Sequence, residues 1–369
     1  MKKIPVRLGI QQRVLPSYRV QLFDLLAQQF SGGVGVFAGA GRKEEALGAG
    51  AVVHKAQFTQ GKNIHFLSGR WYFCWQIGLL QWLRRFNPQV LVMEANPRYP
   101  ISYFAQHWMH NQNKPVIGWG LGSPYPTGTF TDQRLRLRKW FVRHFDALIT
   151  YSQIGAEEYA EIGFPTERIF IAPNAVAPKP QTPAPQRSQK YHLNRPTVLY
   201  VGRLQARKRV ADLIQACALL PEELQSFLWI VGDGPELYEL ERVAQQHYPQ
   251  TKFCGAMHGA TLDDTFRQAD VFVLPGTGGL AVQQAMSFAL PVIVGEADGT
   301  QSDLVRHENG WRVESGNIQG LADTLKDALG DVVRLRKKGL ASYRIVKDEV
   351  NLERMMAVFG QAVCKVWEG

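Results

Sequence analysis

The chain reads as an α/β protein of two Rossmann-like domains, each a parallel sheet with helices on both faces, with the two sheets facing an interdomain cleft. Three observations predict this. At 369 residues the chain exceeds what one hydrophobic core usually serves. Short apolar runs alternate with helical patterns twice over, and such alternation builds parallel sheets. Between the two series lies Ala177-Pro-Lys-Pro-Gln-Thr-Pro-Ala-Pro-Gln-Arg-Ser-Gln-Lys190, rich in proline, poor in apolar residues and linker-like in composition. The expected boundaries are residues 1–176 and 196–345 for the domains, 177–195 for an unpacked linker, and 346–369 for a C-terminal helix crossing back to the first domain.

In the first half, Arg7–Ile10 predicts a strand, Tyr18–Phe30 a helix with Val20, Phe23, Leu26 and Phe30 on one face, and Gly33–Ala38 the next strand. A glycine-rich, basic segment follows, then an aromatic helical stretch over Trp71–Phe86 and the strand Val90–Glu94. The order continues with a helix over Ile101–Asn111, a strand over Val116–Trp119, a helix over Asp132–Phe145, a strand over Ala147–Tyr151, a helix near Glu157 and a strand over Ile169–Ile171. Ligands bind such sheets at the C-terminal ends of the strands. Here that edge collects Gln11–Ser17, Glu94–Arg98, Gly120–Ser123 and Ser152.

The second half repeats the pattern with strands at Thr197–Val201, Phe227–Val231 and Lys252–Phe253, and helices at Val210–Leu220, after Pro235 and around Asp264–Gln268. Its organising stretch is Asp270-Val-Phe-Val-Leu-Pro-Gly-Thr-Gly-Gly-Leu-Ala-Val-Gln-Gln-Ala-Met-Ser-Phe-Ala-Leu-Pro-Val-Ile-Val294: strand, glycine loop, helix, strand. Glycine lets backbone N–H groups approach a ligand, and the positive end of the following helix favours an anion, so phosphate or pyrophosphate is the natural guest. A tight turn without ligand is the alternative. Gly202-Arg203 with Lys208 places two cations just past the first strand, able to neutralise a diphosphate. Gly232-Asp-Gly-Pro235 is a tight turn, and Phe253-Cys254-Gly255 puts backbone groups where they can read a nucleobase edge.

Composition narrows the partners. The net charge of +10 favours an anionic one: nucleotide substrates, an acidic membrane surface or nucleic acid, the last ranked lowest because no recognition motif for it is present. Arg134-Leu-Arg-Leu-Arg-Lys-Trp-Phe-Val-Arg-His-Phe145 suits a helix lying on an anionic membrane, with Leu137, Trp140 and Phe141 on one face; an ordinary packed helix is the competing reading. The N-terminal stretch lacks the apolar core of a signal peptide, and no apolar run of about 18 residues occurs, so a cytoplasmic location is expected, with peripheral attachment to the inner membrane face as its membrane-bound variant. Cys74, Cys217, Cys254 and Cys364 lack paired short spacings, and Asp263-Asp264 is adjacent, at an expected helix start where capping is the better account; no metal site and no cofactor are expected.

Val201-Gly-Arg-Leu-Gln-Ala-Arg-Lys208, Val231-Gly-Asp-Gly-Pro235, Ala269-Asp-Val-Phe-Val-Leu-Pro275 and Gln284-Ala-Met with Pro291-Val-Ile293, in that order, closely resemble the retaining family 4 glycosyltransferases of the GT-B fold. Pro16-Ser-Tyr-Arg-Val20, Glu94-Ala-Asn-Pro-Arg98 and Ile149-Thr-Tyr-Ser152 with Ala172-Pro-Asn174 look like the bacterial branch that builds surface polysaccharide and lipopolysaccharide. The resemblance implies a UDP- or GDP-sugar donor and a glycan or lipid-linked acceptor. Arg203 and Lys208 would hold the donor diphosphate, with backbone N–H groups of Gly278, Gly279, Leu280 and Ala281 completing the cradle and Gly202, Gly232, Cys254 and Gly255 nearby. Such relatives carry two glutamates eight positions apart, one touching the sugar and one the ribose; here those places hold Gly276, with Thr277 as a substitute, and Gln284. Leu121 stands where relatives often have a histidine, and Glu94 and Arg98 are candidates for acceptor contacts, with strand-end capping and a salt bridge as the alternative. In the front-face route assigned to this family the leaving phosphate takes the acceptor proton, so Arg203, Lys208 and Glu94 are the expected catalytic set. The competing functions are a sugar-nucleotide epimerase and a degenerate nucleotide-sugar-binding or partner subunit. A dehydrogenase is disfavoured because the first strand lacks the dinucleotide glycine turn.

Overall fold

Apolar runs buried on both faces dictate the architecture. The run Val271–Leu274 is buried at every position, and the same holds for Val292–Gly295 and Ala147–Thr150, as parallel strands covered by helices require. The computed structural model describes residues 3–42, 52–126, 130–296 and 300–368. The chain divides into two units, Met1–Val176 with Leu352–Gly369, and Ala177–Asn351.

The first unit carries β1 (Leu8–Val14), β2 (Val34–Gly39), β3 (Gln57–Gln60), β4 (Lys62–Phe66), β5 (Phe73–Ile77), β6 (Val90–Glu94), β7 (Val116–Gly120), β8 (Ala147–Thr150) and β9 (Ile169–Ile171). Seven of these form one sheet in the order β3-β2-β1-β6-β7-β8-β9, with every pair parallel. Its helices are α1 (Val20–Gln29), α2 (Leu79–Phe86), α3 (Ile101–His110), α4 (Thr131–Val142) and α5 (Gln153–Glu161).

The aromatic stretch differs from expectation. Instead of one helix over Trp71–Phe86, Phe73–Ile77 pairs antiparallel with β4, and the helix begins only at Leu79. Cys74 and Gln76 are buried while Phe73, Trp75 and Ile77 are not, a period of two. Gly78, at φ +95°, then turns the chain into α2. Part of the preceding glycine-rich, basic segment lies outside the described residues; the rest supplies β3 and β4.

The second unit carries β10 (Thr197–Val201), β11 (Phe227–Val231), β12 (Thr251–Phe253), β13 (Val271–Leu274), β14 (Val292–Gly295) and β15 (Gly310–Val313), in the order β12-β11-β10-β13-β14-β15, all parallel. Its helices are α6 (Val210–Ala218), α7 (Leu237–His247), α8 (Gly259–Gln268), α9 (Leu280–Ser287), α10 (Thr300–Leu304), α11 (Ile318–Leu329) and α12 (Val332–Asp348). Because α8 starts at Gly259, Asp263 and Asp264 lie inside it rather than capping it, and Asp264 pairs with Arg267 at 2.7 Å.

The terminal helix α13 (Leu352–Trp367) packs within the first unit: Phe359 meets Trp119 edge-on at 4.9 Å, and Gly360 sits against Gln29. The proline-rich stretch is not the unpacked tether its composition suggests. Arg187 donates to the carbonyls of Phe266 (2.8 Å), Arg267 (3.3 Å), Ala269 and Phe288 (2.9 Å), and so satisfies the C-terminal ends of α8 and α9. One guanidinium fastens a segment with little apolar surface of its own.

Candidate active site

At the C-terminal edge of the second sheet, the turn after β10 and the glycine loop after β13 are joined through one residue, Thr277. Its N–H donates to the Arg207 carbonyl at 3.1 Å, its hydroxyl accepts from Arg207 Nη1 at 3.0 Å, and its carbonyl accepts from Lys208 Nζ at 2.5 Å. The threonine hydroxyl is therefore engaged with Arg207. Sequence reading assigned no role to Arg207, because the partners are 70 residues apart.

Gly276 is buried and lies against the backbone of that turn. A Cβ built there would stand 2.2 Å from the Arg207 carbonyl oxygen and 2.8 Å from Lys208 Cα. Side chains do not fit, so the position expected to touch a sugar is one of close backbone approach. Gly278, at φ +131°, leaves room for the lysine: a Cβ on it would stand 2.5 Å from Lys208 Nζ. Its carbonyl accepts from Gln301 Nε2 at 2.8 Å.

Gly279 precedes α9 and supplies no side-chain cap. The first-turn amides of Leu280 and Ala281 have no intrahelical acceptor by the geometry of any helix start. Together with Lys208 they gather positive charge suited to an anion. Arg203 follows β10 at the same edge, half-buried, with its carbonyl accepting from the Tyr200 hydroxyl at 3.1 Å.

Other expected contacts are partly engaged elsewhere. The Gly202 N–H donates to Val231 O (2.9 Å), the Gly232 N–H to Gly255 O (2.8 Å) and the Cys254 N–H to Ile230 O (2.9 Å). These three amides extend the sheet ladder, so Gly202 and Gly232 shape the edge instead of donating to phosphate, and the groups presented just past β12 are the Cys254 carbonyl and the Gly255 N–H. Burial pushes the Cys254 thiol up, which keeps it protonated. Gln284 is half-buried on α9; its neighbour Gln283 is fully buried, accepting from Ala177 N and donating to Val350 O, each at 3.0 Å.

In the first unit the corresponding edge opens a cavity of about 530 Å³ bordered by Arg19, Glu94, Arg98, Leu121, Tyr151 and Asn174. Glu94 ends β6 and accepts from the Arg13 N–H at 2.8 Å, while its own N–H donates to Gln11 Oε1 at 3.1 Å. Burial raises its pKa, with the Arg13 amide, the Arg13 charge and a Tyr99 hydrogen bond opposing. Leu121 is 62% exposed beside it. Ser152 caps α5 by accepting from the Gly155 N–H at 3.0 Å.

Arg19 is the residue sequence reading passed over. Only 3% exposed, it donates to Asn174 Oδ1 (2.6 Å) and the Tyr151 hydroxyl (3.2 Å), with its guanidinium 4.9 Å from the Trp119 ring centre. Three separate motifs, around Ser17, Tyr151 and Asn174, meet on this one cation. Their convergence was visible only as three unexplained matches.

A second, apolar groove of about 410 Å³ adjoins this cavity, lined by Trp71, Phe130 and Leu137 with Arg98, Arg134 and Arg138; Pro97, Arg98 and Arg138 border both. The α4 helix divides its apolar residues: Phe141 is fully buried, while Leu137 and Trp140 are about half exposed. Burial, then the charges of Arg134 and Arg98, lower the Arg138 pKa, with Glu158 opposing.

Known proteins share this organisation. The Glycosyltransferase Family 4 model matches residues 32–179 and the Glycosyl transferases group 1 model residues 184–339. Sulfoquinovosyl transferase SQD2 of Arabidopsis thaliana is 30% identical over 143 residues, 37% of this chain and 27% of that protein. Lipopolysaccharide core biosynthesis glycosyltransferase LpsE of Rhizobium meliloti is 26% identical over 219 residues, 56% of this chain and 62% of that protein, so the matched stretch is under two thirds of either relative. The Anabaena protein Alr3699/HepE, solved in complex with UDP, has a TM-score of 0.74 across 99% of this chain and 100% of its own at 17% identity, a likeness of fold. With a family 4 model on the first half, a group 1 model on the second and one two-sheet architecture throughout, the chain belongs to the GT-B glycosyltransferases.

Proposed function

We propose that this chain transfers a sugar, with retention, from a UDP- or GDP-sugar to a glycan or lipid-linked acceptor in the synthesis of cell-surface polysaccharide or lipopolysaccharide. The observation that carries the reading is the seat of Lys208 Nζ against the glycine loop, 2.5 Å from Thr277 O and directly under Gly278. A cation and uncapped helix amides at one sheet edge match the charge of a diphosphate leaving group. Departure of that group builds negative charge on the β-phosphate oxygen; Lys208 and Arg203 neutralise it, and the acceptor hydroxyl passes its proton to the same phosphate. Two protein cations on the leaving group do the work a divalent ion does elsewhere, so this scheme runs without metal. Gln284 hydrogen-bonds the ribose diol as a neutral amide, and Glu94 and Arg98 contact the acceptor.

The three arginines around the apolar groove favour the lipid-linked acceptor over a free glycan. Arg98, Arg134 and Arg138 suit a phosphate, while Trp71, Phe130 and Leu137 suit a hydrocarbon chain. Exposed Leu137 and Trp140 on a basic helix also support attachment to an anionic inner membrane face. Among the described residues no helix is long and apolar enough to cross a membrane. UDP bound to Alr3699/HepE supports a nucleoside diphosphate donor.

The testing experiment offers purified protein a panel of UDP- and GDP-sugars, with chelator present, and acceptors either free or carried in anionic vesicles. Transfer to a vesicle-borne acceptor, with the donor's anomeric configuration kept in the product by NMR, is the expected result. Donor binding without sugar release would favour the partner-subunit reading instead.

A further inference from the structure

The opposite edge of the second sheet, where β10 and β11 begin, opens a cavity of about 930 Å³. Its lining includes Lys190, Tyr191, Trp229, Lys252 and Arg336, and one carboxylate, Asp270. That carboxylate is fully engaged: Oδ1 accepts from Arg336 Nη2 at 2.5 Å and Oδ2 from the Thr197 N–H at 2.8 Å.

Arg336 is 6% exposed and donates through Nε to Ser188 O at 2.8 Å, yet its buried Nη1 has no hydrogen-bond partner among the described residues. A buried guanidinium nitrogen without an acceptor is costly, and an anion's oxygen removes the cost. The neighbouring Arg187 donates to helix-end carbonyls and so adds positive charge without consuming it. Its pKa is lowered to about 10, by burial and then by Arg336. Lys190 and Lys252 are exposed at the rim.

The floor is aromatic. Phe227 and Trp229 share the outward face of β11, while Leu228 and Ile230 alternate inward and are fully buried. Lys252 Nζ lies 5.8 Å from the Trp229 ring centre, and the Arg336 guanidinium 5.7 Å from that of Tyr191. Flat apolar rings beside surplus cations recognise a ring that bears a phosphate.

We propose that this cavity is a second ligand site, separate from the glycine-loop edge, which binds a phosphorylated small molecule carrying a planar ring. The phosphate takes the Arg336 and Lys252 donors, and the ring lies against Trp229. The site is independent of the transferase reading, since none of its residues belongs to the donor loop.

The test titrates adenosine 5′-monophosphate into the full chain by calorimetry, comparing wild type, Lys208→Ala, and the double variant Lys190→Glu with Lys252→Glu. Both exchanged lysines are exposed, so the fold is kept. Expected is saturable binding of equal strength in wild type and Lys208→Ala, weakened at least roughly tenfold in the double variant. Absence of saturable binding, loss of it in Lys208→Ala, or indifference to the double charge reversal would each overturn the proposal. Inorganic phosphate alone should bind more weakly than the nucleotide; equal affinity would remove the ring from it.

Discussion

The contact between Gly276 and the Arg207–Lys208 backbone makes a sharp prediction. Replace Gly276 by Ala, and the new Cβ meets the Arg207 carbonyl oxygen at 2.2 Å, Lys208 C at 2.7 Å and Lys208 Cα at 2.8 Å. All three are backbone atoms, so no side-chain rotation relieves the clash. Overpacking of this kind costs about 1–3 kcal/mol. For a unit of this size each kcal/mol shifts Tm by about 2–4 °C, so Gly276→Ala should lower the midpoint by roughly 2–12 °C in a calorimetric scan. The same displacement moves Lys208 away from Thr277, so affinity for UDP or GDP should fall by at least about tenfold, the equivalent of 1.4 kcal/mol. Gly276→Glu should be worse on both counts, even though it restores the residue type that the resemblance assigns to this place. If Gly276→Glu kept the wild-type Tm and bound donor as well or better, the close approach would be wrong and the position would face the sugar after all.

Two further predictions concern the charged groups. Lys208→Ala should cut kcat/KM by about 10²–10³, the usual loss for one preorganised donor to developing charge, and Arg203→Ala should act similarly. The lost hydrogen bond to Thr277 O should cost only about 1 kcal/mol of stability, so a folded, inactive protein is expected and full turnover would remove these residues from the mechanism. Glu94 has a folded-state pKa raised by burial, so its carboxyl favours the protonated form in the folded protein. Its stabilising share is complete below the ordinary carboxylate pKa and is lost as pH rises through the raised value. Glu94→Gln should therefore match wild type in Tm at acid pH and exceed it at neutral and alkaline pH. A constant difference across the range would show that the charge does not matter there.

How much of this could be seen in the sequence follows from how far apart the partners lie. The glycine loop was legible because strand, loop, helix and strand are contiguous from Val271 to Val294, so local propensity and tertiary role agree. What Gly276 and Thr277 do was not, because their partners sit on another strand's turn and no local pattern encodes that approach. The helix expected over Trp71–Phe86 failed at its first half for a similar reason: aromatic residues serve strands and helices alike, and burial of Cys74 and Gln76, not the aromatics, settled the period. Composition misled at the linker, where polar Arg187 packs through hydrogen bonds rather than apolar area. The Arg19 cage shows the converse. A buried arginine among Trp119, Tyr151 and Asn174 needs its partners named before it means anything, and those partners come from separate strand ends.

Transfer as proposed requires a nucleoside diphosphate held by the turn after β10 and the start of α9. Amide hydrogen exchange with and without UDP or GDP tests that directly, because it reports on backbone positions without assuming a sugar or an acceptor. Slowed exchange is expected at residues 203–208 and 277–282, with much less slowing in Lys208→Ala. Slowing confined to other parts of the chain, or the same protection with Lys208 removed, would contradict it.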